Sequence, residues 1–85
     1  MLPVLERNPD LRIRIDGHTD ASGDSGYNQG LSERRADAVR RRLIAEGVDG
    51  NRIETEGFGE ARPIAPNDSA AGRRINRRTE ITVLH

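Results

Sequence analysis

Leu11-Arg12-Ile13-Arg14-Ile15-Asp16-Gly17-His18-Thr19-Asp20 is the stretch whose reading decides the fold. Leu11, Ile13 and Ile15 alternate with Arg12, Arg14 and Asp16, the two-residue period of a strand with one buried face and one wet face. Gly17 stands where the next inward side chain belongs, and His18, Thr19 and Asp20 then gather polar groups at the strand's carboxyl end. Open α/β sheets bind their ligands at that end. A loop, Ala21-Ser22-Gly23-Asp24-Ser25-Gly26, and a long helical pattern follow, so the segment reads as site architecture rather than as a plain turn.

Outward from this strand, the helical period runs from about Ser25 to Glu46, firmest after Leu31, with Gly47 placed to cap it. Tyr27, Leu31, Ala38, Val39 and Leu43 share one arc of that helix, opposite Glu33, Asp37 and Arg41. Arg35 falls inside the apolar arc near the helix start, on the side of the loop after Asp20, and there it must snorkel or find an anion. Arg52-Ile53-Glu54-Thr55-Glu56-Gly57 reads as a second strand, so that strand, helix and strand form a βαβ unit with two parallel strands. Phe58 to Asn76 reads as mostly loop, and Thr79 to Leu84 as a third strand with Ile81 and Val83 facing inward. Before the first strand, Pro3 to Arg7 forms a short helix stopped by Asn8-Pro9-Asp10. The opening Leu2, Val4 and Leu5 look like the end of a helix rather than a first element, as in a domain taken from something larger.

Composition narrows the chemistry. With 85 residues, 33% hydrophobic content and Tyr27 and Phe58 as the only aromatics, one small domain with a thin aliphatic core is expected over residues 1–85. There is no cysteine, which removes thiol nucleophiles and Cys-based zinc sites. Fourteen basic residues, all arginine, balance 14 acidic ones, and no stacking aromatics accompany the arginine runs, so a nucleic-acid partner is not expected. No apolar run nears the roughly 20 residues of a membrane span. His18 and Asp20 would need a third ligand to hold a metal, and the other histidine is the terminal His85. Neither a nucleophile elbow, a dinucleotide fingerprint nor a Walker lysine is present, so no catalytic residue, metal or cofactor is expected. The pair that stands out is Asp20 and Arg35, an anion at a strand end and a cation on the helix beyond it. From pattern alone they either read a ligand or pair with each other and brace the loop.

Gly17-His18-Thr19-Asp20, Asn28, Leu31-Ser32-Glu33-Arg34-Arg35-Ala36, Gly57-Phe58-Gly59-Glu60, Pro63-Ile64-Ala65, Asn67, Gly72-Arg73-Arg74-Ile75-Asn76-Arg77-Arg78 and Glu80-Ile81 together resemble the OmpA-like peptidoglycan-binding domain. The resemblance covers about Leu11 to Val83, in the family's order and spacing. It implies an α/β (α+β) sandwich, a mixed sheet of about three strands with helices on one face, with the family's first strand missing and an edge left open to a second copy. It also implies a bacterial envelope setting, periplasm or outer membrane, and non-covalent binding of the meso-diaminopimelate in peptidoglycan. Asp20 would take the ligand's ammonium and Arg35 its carboxylate, a division of charge that suits a carboxylate and a guanidinium. Asn28, Thr19, Ala21, Ser22, Leu31 and Arg78 would complete the ligand contacts, while Asn76 and Arg77 brace the last strand or line the rim. The rival reading is an assembly module of the same fold in which Asp20 and Arg35 pair internally and the wall is not bound.

Overall fold

The computed structural model describes residues 2–84. Helix α1 (Leu2–Arg7) leads into strand β1 (Arg12–Gly17), followed by helix α2 (Ser25–Ala45), strand β2 (Ile53–Gly57), helix α3 (Ala70–Asn76) and strand β3 (Thr79–Leu84). The sheet has three strands in the order β2-β1-β3. β1 runs parallel to β2 with Ile13 beside Ile53 and Gly17 beside Gly57, and antiparallel to β3 with Ile15 beside Ile81. A mixed sheet with helices on one face is therefore the architecture, as the resemblance implied.

The alternation in β1 sets the two faces. Ile13 and Ile15 are fully buried and join Leu5, Ala36, Leu43, Val48 and Ile53 in the aliphatic core under α2. Burying a side chain of that kind contributes roughly 1.5–3 kcal/mol. On the other face Arg12 pairs with Glu54 at 2.9 Å, and Arg14 pairs with Asp16 at 2.7 Å and with Glu56. Such half-exposed pairs add little stability each, about 0–1 kcal/mol. They keep that face wetted.

Helix α2 begins and ends by chemistry that the sequence carries. The Asp24 carboxylate accepts the Tyr27 N–H at 2.8 Å as N-cap. At the other end Gly47 adopts a φ of 105°, the Gly47 N–H reaches Ile44 O at 3.0 Å, and the Val48 N–H reaches Leu43 O at 3.0 Å. That double closure is a Schellman motif, completed by the buried contact of Val48 with the Leu43 end. Arg52 then ties the lower end together, donating to Leu5 O, Asn8 O and Leu11 O at 2.7–2.9 Å. It satisfies the last carbonyls of α1, which pins the short helix against the start of β1.

Three expectations are corrected. Residues 70–76 form α3 rather than loop, with the Ser69 hydroxyl accepting the Gly72 N–H at 3.0 Å as its cap. Tyr27 and Ala38 are exposed, and the buried line of α2 is instead Asn28, Ser32, Ala36 and Leu43, because the first half of the helix faces polar strand ends rather than apolar ones. Ile81 is 40% exposed although it lies on the core side opposite Ile15, because α2 covers β1 and β2 and stops short of β3. Val83 is half-buried against the core.

Candidate functional site

The polar end of β1 is brought against α2 by two glycines. Gly17 and Gly57 lie side by side on β1 and β2, and a Cβ on Gly17 would overlap the Ser32 carbonyl. A Cβ on Gly57 would come within 2.6 Å of Ser32 Oγ and of the Glu33 nitrogen. The helix therefore rests directly on the strand ends. Ser32 Oγ uses the closeness, donating to Gln29 O at 2.8 Å and accepting the Gly59 N–H at 2.9 Å.

From there the segment 18–22 is held on every side. The His18 N–H donates to Arg78 O at 2.9 Å, and the Thr19 N–H donates to Gly59 O at 2.8 Å. Asn28 Nδ2 donates to Asp20 O at 3.3 Å and to Ser22 O at 2.9 Å, and the Ala21 N–H donates to Asn67 Oδ1 at 3.2 Å. Asn67 is itself fixed by the fully buried Asn76. The Asn76 amide donates to Asn67 Oδ1 and Ala65 O, both at 2.9 Å, and accepts the N–H groups of Ile64 and Ala65 at 2.8 and 3.0 Å. All the bonding capacity of that amide is used.

The Asp20 carboxylate is the focus of this frame. Its Oδ1 accepts the Ser22 N–H at 2.9 Å and its Oδ2 accepts Arg77 Nη1 at 2.8 Å. The Ser22 bond first, then Arg77, holds its pKa below the ordinary aspartate value, so the group is an anion at neutral pH. Its side chain is only 11% exposed. A carboxylate so placed offers a charge to one small group rather than to bulk ions.

Arg35 is half-buried on α2 and, among the described residues, makes neither an ion pair nor a hydrogen bond with its guanidinium. Asp20 and Arg35 thus do not pair with each other; the guanidinium on Asp20 is that of Arg77. Arg78, expected among the contacts, is occupied elsewhere: it donates to Glu80 at 2.7 Å, to Arg62 O at 3.0 Å and to Asn76 O at 3.3 Å. Leu31 is half-buried between Asn28 and Arg35 along α2, and Ala21 and Ser22 are exposed. Of the predicted set, Thr19, Asp20, Ala21, Ser22 and Asn28 form one connected group, and Arg77 joins it in the place expected of Arg78.

His18 is 3% exposed and stacks on Phe58, ring centroids 5.4 Å apart and planes within 12°. Arg62 lies over the same Phe58 ring at 3.8 Å. Burial, and then the neighbouring Arg78, push the His18 pKa below its ordinary value, while Glu80 at 3.5 Å from Nε2 opposes them. The ring is therefore neutral at pH 7, and its Nδ1 has no partner among the described residues. No cluster of three or more His, Cys, Asp or Glu side chains suited to a metal occurs among those residues, and His85 lies outside them. What the sequence reading missed is the Arg77–Asp20 pair and the Asn67–Asn76 scaffold beneath it. Arg77 lies 57 positions from Asp20, and Asn67 holds Ala21 from 46 positions away, so only the motif as a whole pointed to them.

The sequence and the fold are similar to those of known proteins. The model of the OmpA family matches residues 2–77. The outer membrane porin F of Pseudomonas aeruginosa is 50% identical over 80 residues, which are 93% of this chain and 23% of the porin. The peptidoglycan-binding protein ArfA of Mycobacterium tuberculosis is 47% identical over 79 residues, 93% of this chain and 24% of ArfA. The chain thus spans about a quarter of the length of these two relatives. Among solved structures, the peptidoglycan-associated lipoprotein of Burkholderia pseudomallei superposes with a TM-score of 0.92 at 35% identity, covering 96% of this chain and 70% of that one. The C-terminal domain of Helicobacter pylori MotB does so with a TM-score of 0.89 at 32% identity, covering 98% and 65%. With a family model matching over nearly its whole length and the fold of solved structures it resembles at above 30% identity, the chain belongs to the OmpA family.

Proposed function

We propose that this domain binds peptidoglycan non-covalently, without catalysis, through the free end of a meso-diaminopimelate residue, and so anchors a larger envelope protein to the cell wall. The observation that carries this reading is the placement of an ionised, nearly buried Asp20 at the end of β1 and, on the neighbouring helix, of an Arg35 guanidinium that has no partner among the described residues. One end of the ligand presents an ammonium and a carboxylate on the same carbon. Asp20 takes the first and Arg35 the second, a two-charge reading that a lone cation or anion does not satisfy. Thr19, Ala21 and Ser22 supply the loop, Asn28 holds it in shape, Leu31 stands one helical turn before Arg35 on α2, and Arg77 lines the rim. The relative named as a peptidoglycan-binding protein and the one named as a peptidoglycan-associated lipoprotein support the coarse reading. A periplasmic or outer-membrane setting follows from the same relatives; no helix among the described residues is long and apolar enough to cross a membrane.

One observation favours a second reading. Arg77 already occupies Asp20 Oδ2, as it would in an assembly module whose aspartate only braces the loop. Titration with a stem peptide containing meso-diaminopimelate, followed by amide NMR, separates the two, with the same peptide carrying lysine in its place, whose side chain ends in an ammonium without a carboxylate, as control. Saturable shifts at Gly17 to Ser22 and at Arg35, absent with lysine and lost in both Asp20→Ala and Arg35→Ala, are expected. A folded wild type without shifts would leave the assembly module standing.

A further inference from the structure

Most arginines of this chain are ion-paired to acids or donate to backbone carbonyls. Arg34 and Arg35, consecutive on α2, do neither among the described residues. On a helix a cation finds support from an acid three or four positions away. Around Arg35 those positions hold Leu31, Ser32, Ala38 and Val39. Around Arg34 they hold Gly30, Leu31, Asp37 and Ala38, and the Asp37 carboxylate is bonded to Arg41 at 3.2 Å. Two adjacent cations are thus left without a counter-ion from their own helix.

Arg34 is nevertheless held in place. Its side chain runs back along α2, and its guanidinium carbon lies 5.8 Å from the centroid of the Tyr27 ring, two turns earlier on the same face. Gly30 lies between them, and a Cβ there would stand 3.1 Å from Arg34 Nη1. A glycine inside a helix is destabilising against alanine, and here it leaves bare surface over which the guanidinium lies. The Tyr27 residue is 62% exposed, and its N–H is fixed by the Asp24 carboxylate. The next residue, Asn28, bonds to Asp20 O and Ser22 O, whereas Gln29, on the other flank of α2, bonds to Gly57 O of β2. Going round the helix from Asn28, away from Gln29, Arg35 and Leu31 come first, then Tyr27 and Arg34. Tyr27 and Arg34 therefore continue the flank that Arg35 begins beside the Asp20 loop.

We propose that Arg34, positioned by Tyr27, binds a second carboxylate of the same stem peptide, an inference that rests on the reading that this domain binds peptidoglycan. The balance of charge carries it. The free end of diaminopimelate brings one ammonium and one carboxylate, and Asp20 and Arg35 satisfy both. Arg34 is then a further cation on the same flank, with its N–H fork unspent. A guanidinium stacked on an aromatic ring keeps that fork fixed for a planar anion such as a carboxylate. The stem peptide offers two beyond the diaminopimelate end. Diaminopimelate is joined to the side-chain carboxyl of a glutamate, whose α-carboxylate stays free, and a stem that is not cross-linked ends in a free carboxylate. Arg34 lies farther round α2 from the Asp20 loop than Arg35, as a group outside the diaminopimelate end requires. The domain thus selects an anionic peptide, and amidation of that peptide weakens its hold.

Amide NMR titration with synthetic stem peptides, alanyl-γ-glutamyl-meso-diaminopimelyl-alanine and two amidated forms of it, tests the assignment. One form carries an amide in place of the glutamate α-carboxylate, the other in place of the terminal carboxylate. Amidation at the group that Arg34 holds should weaken binding to the wild type about threefold to fivefold, the strength of an exposed ion pair. In Arg34→Gln that penalty should vanish, which identifies the carboxylate, while shifts at Gly17 to Ser22 persist because the diaminopimelate end stays seated. Tyr27→Ala should lose most of the discrimination, and Tyr27→Phe, which keeps a ring under the guanidinium, should retain it. Equal affinity of the wild type for all the peptides, or discrimination undiminished in Arg34→Gln, would overturn the role of Arg34 and leave wall binding standing. A folded wild type that binds none of them would overturn both.

Discussion

The carboxyl end of β1 and the aliphatic layer below it are held together by different physics. Below, Leu5, Ile13, Ile15, Ala36, Leu43, Val48 and Ile53 fill space, and any side chains of similar volume would bury similar area. Above, the buried residues are His18, Thr19, Asp20, Asn28, Ser32 and Asn76, whose donors and acceptors find named partners apart from His18 Nδ1. A net hydrogen bond contributes only about 1 kcal/mol, while a buried group left without its partner costs about 1–3 kcal/mol. The polar end therefore tolerates few exchanges and the aliphatic layer many. A domain of this size has a thin core, and the polar end is what fixes one arrangement of loop, helix and strand.

The largest effect expected from this contrast is that of Gly17→Ala. One methyl group there meets the Ser32 carbonyl, so α2 must lift from the strand ends, at a cost of about 3 kcal/mol or more. At roughly 4–8 °C per kcal/mol for a domain of this length, thermal denaturation should show a drop above 10 °C. A loss below about 1 kcal/mol would mean that helix and strand part easily, and the contrast would fail. Next comes Asn76→Leu, close in volume but without the amide. It strands Ile64 N–H, Ala65 N–H and Ala65 O, and urea denaturation should register about 3 kcal/mol. Loss of Asn76 also frees Asn67, so the Ala21 amide resonance should shift in the folded fraction.

How far this was legible beforehand follows the same division. Period-2 alternation marked β1, and the cap residues Asp24 and Gly47 bracket a helix that the 3.6 period had already placed. In the sheet, Ile81 was misread because geometry left it uncovered: it alternates correctly and faces the core side, but no helix lies over it. Tyr27 failed for the opposite reason. The apolar arc assumes that the buried side of a helix is apolar along its whole length, and the first turns of α2 instead bury Asn28 and Ser32 against backbone. α3 was hidden by Pro63, Pro66 and the small residues Ser69-Ala70-Ala71, which read as loop signals. Gly72 is there because a Cβ would strike the Pro66 carbonyl. At the site, Asp20 was visible because an acid at a strand end is unusual, whereas its pairing with Arg77 crosses 57 positions of chain and leaves no local pattern.

A smaller effect should come from the aliphatic layer itself. Ile13→Val removes one methylene from a fully buried side chain and should cost about 1 kcal/mol, with no amide in the segment 18–22 moving. If that substitution disturbed the loop as much as Asn76→Leu does, the two regions would be one cooperative packing unit rather than two.

The smallest effect near neutral pH is the one that separates the regions by titration. No titratable group belongs to the aliphatic layer, while the polar end holds three with displaced pKa values. The folded pKa of His18 is below that of the unfolded chain, so between the two values the unfolded state binds the extra proton and stability falls as pH falls below about 6.5. Glu80 opposes part of this by attracting the imidazolium, which keeps the step small. Asp20 and Glu80 are also depressed, Asp20 by the Ser22 N–H and Arg77 and Glu80 by Arg78, and their contribution is complete above the unfolded carboxylate value and lost as pH falls through the folded one. Melting temperatures should therefore decline on acidification in a shallow step near pH 6 and a steeper one below about pH 4. His18→Phe, which preserves a ring against Phe58, should abolish the first step and leave the second. An unchanged shallow step in that variant would assign the proton to another group and remove His18 from the acid sensitivity of the site.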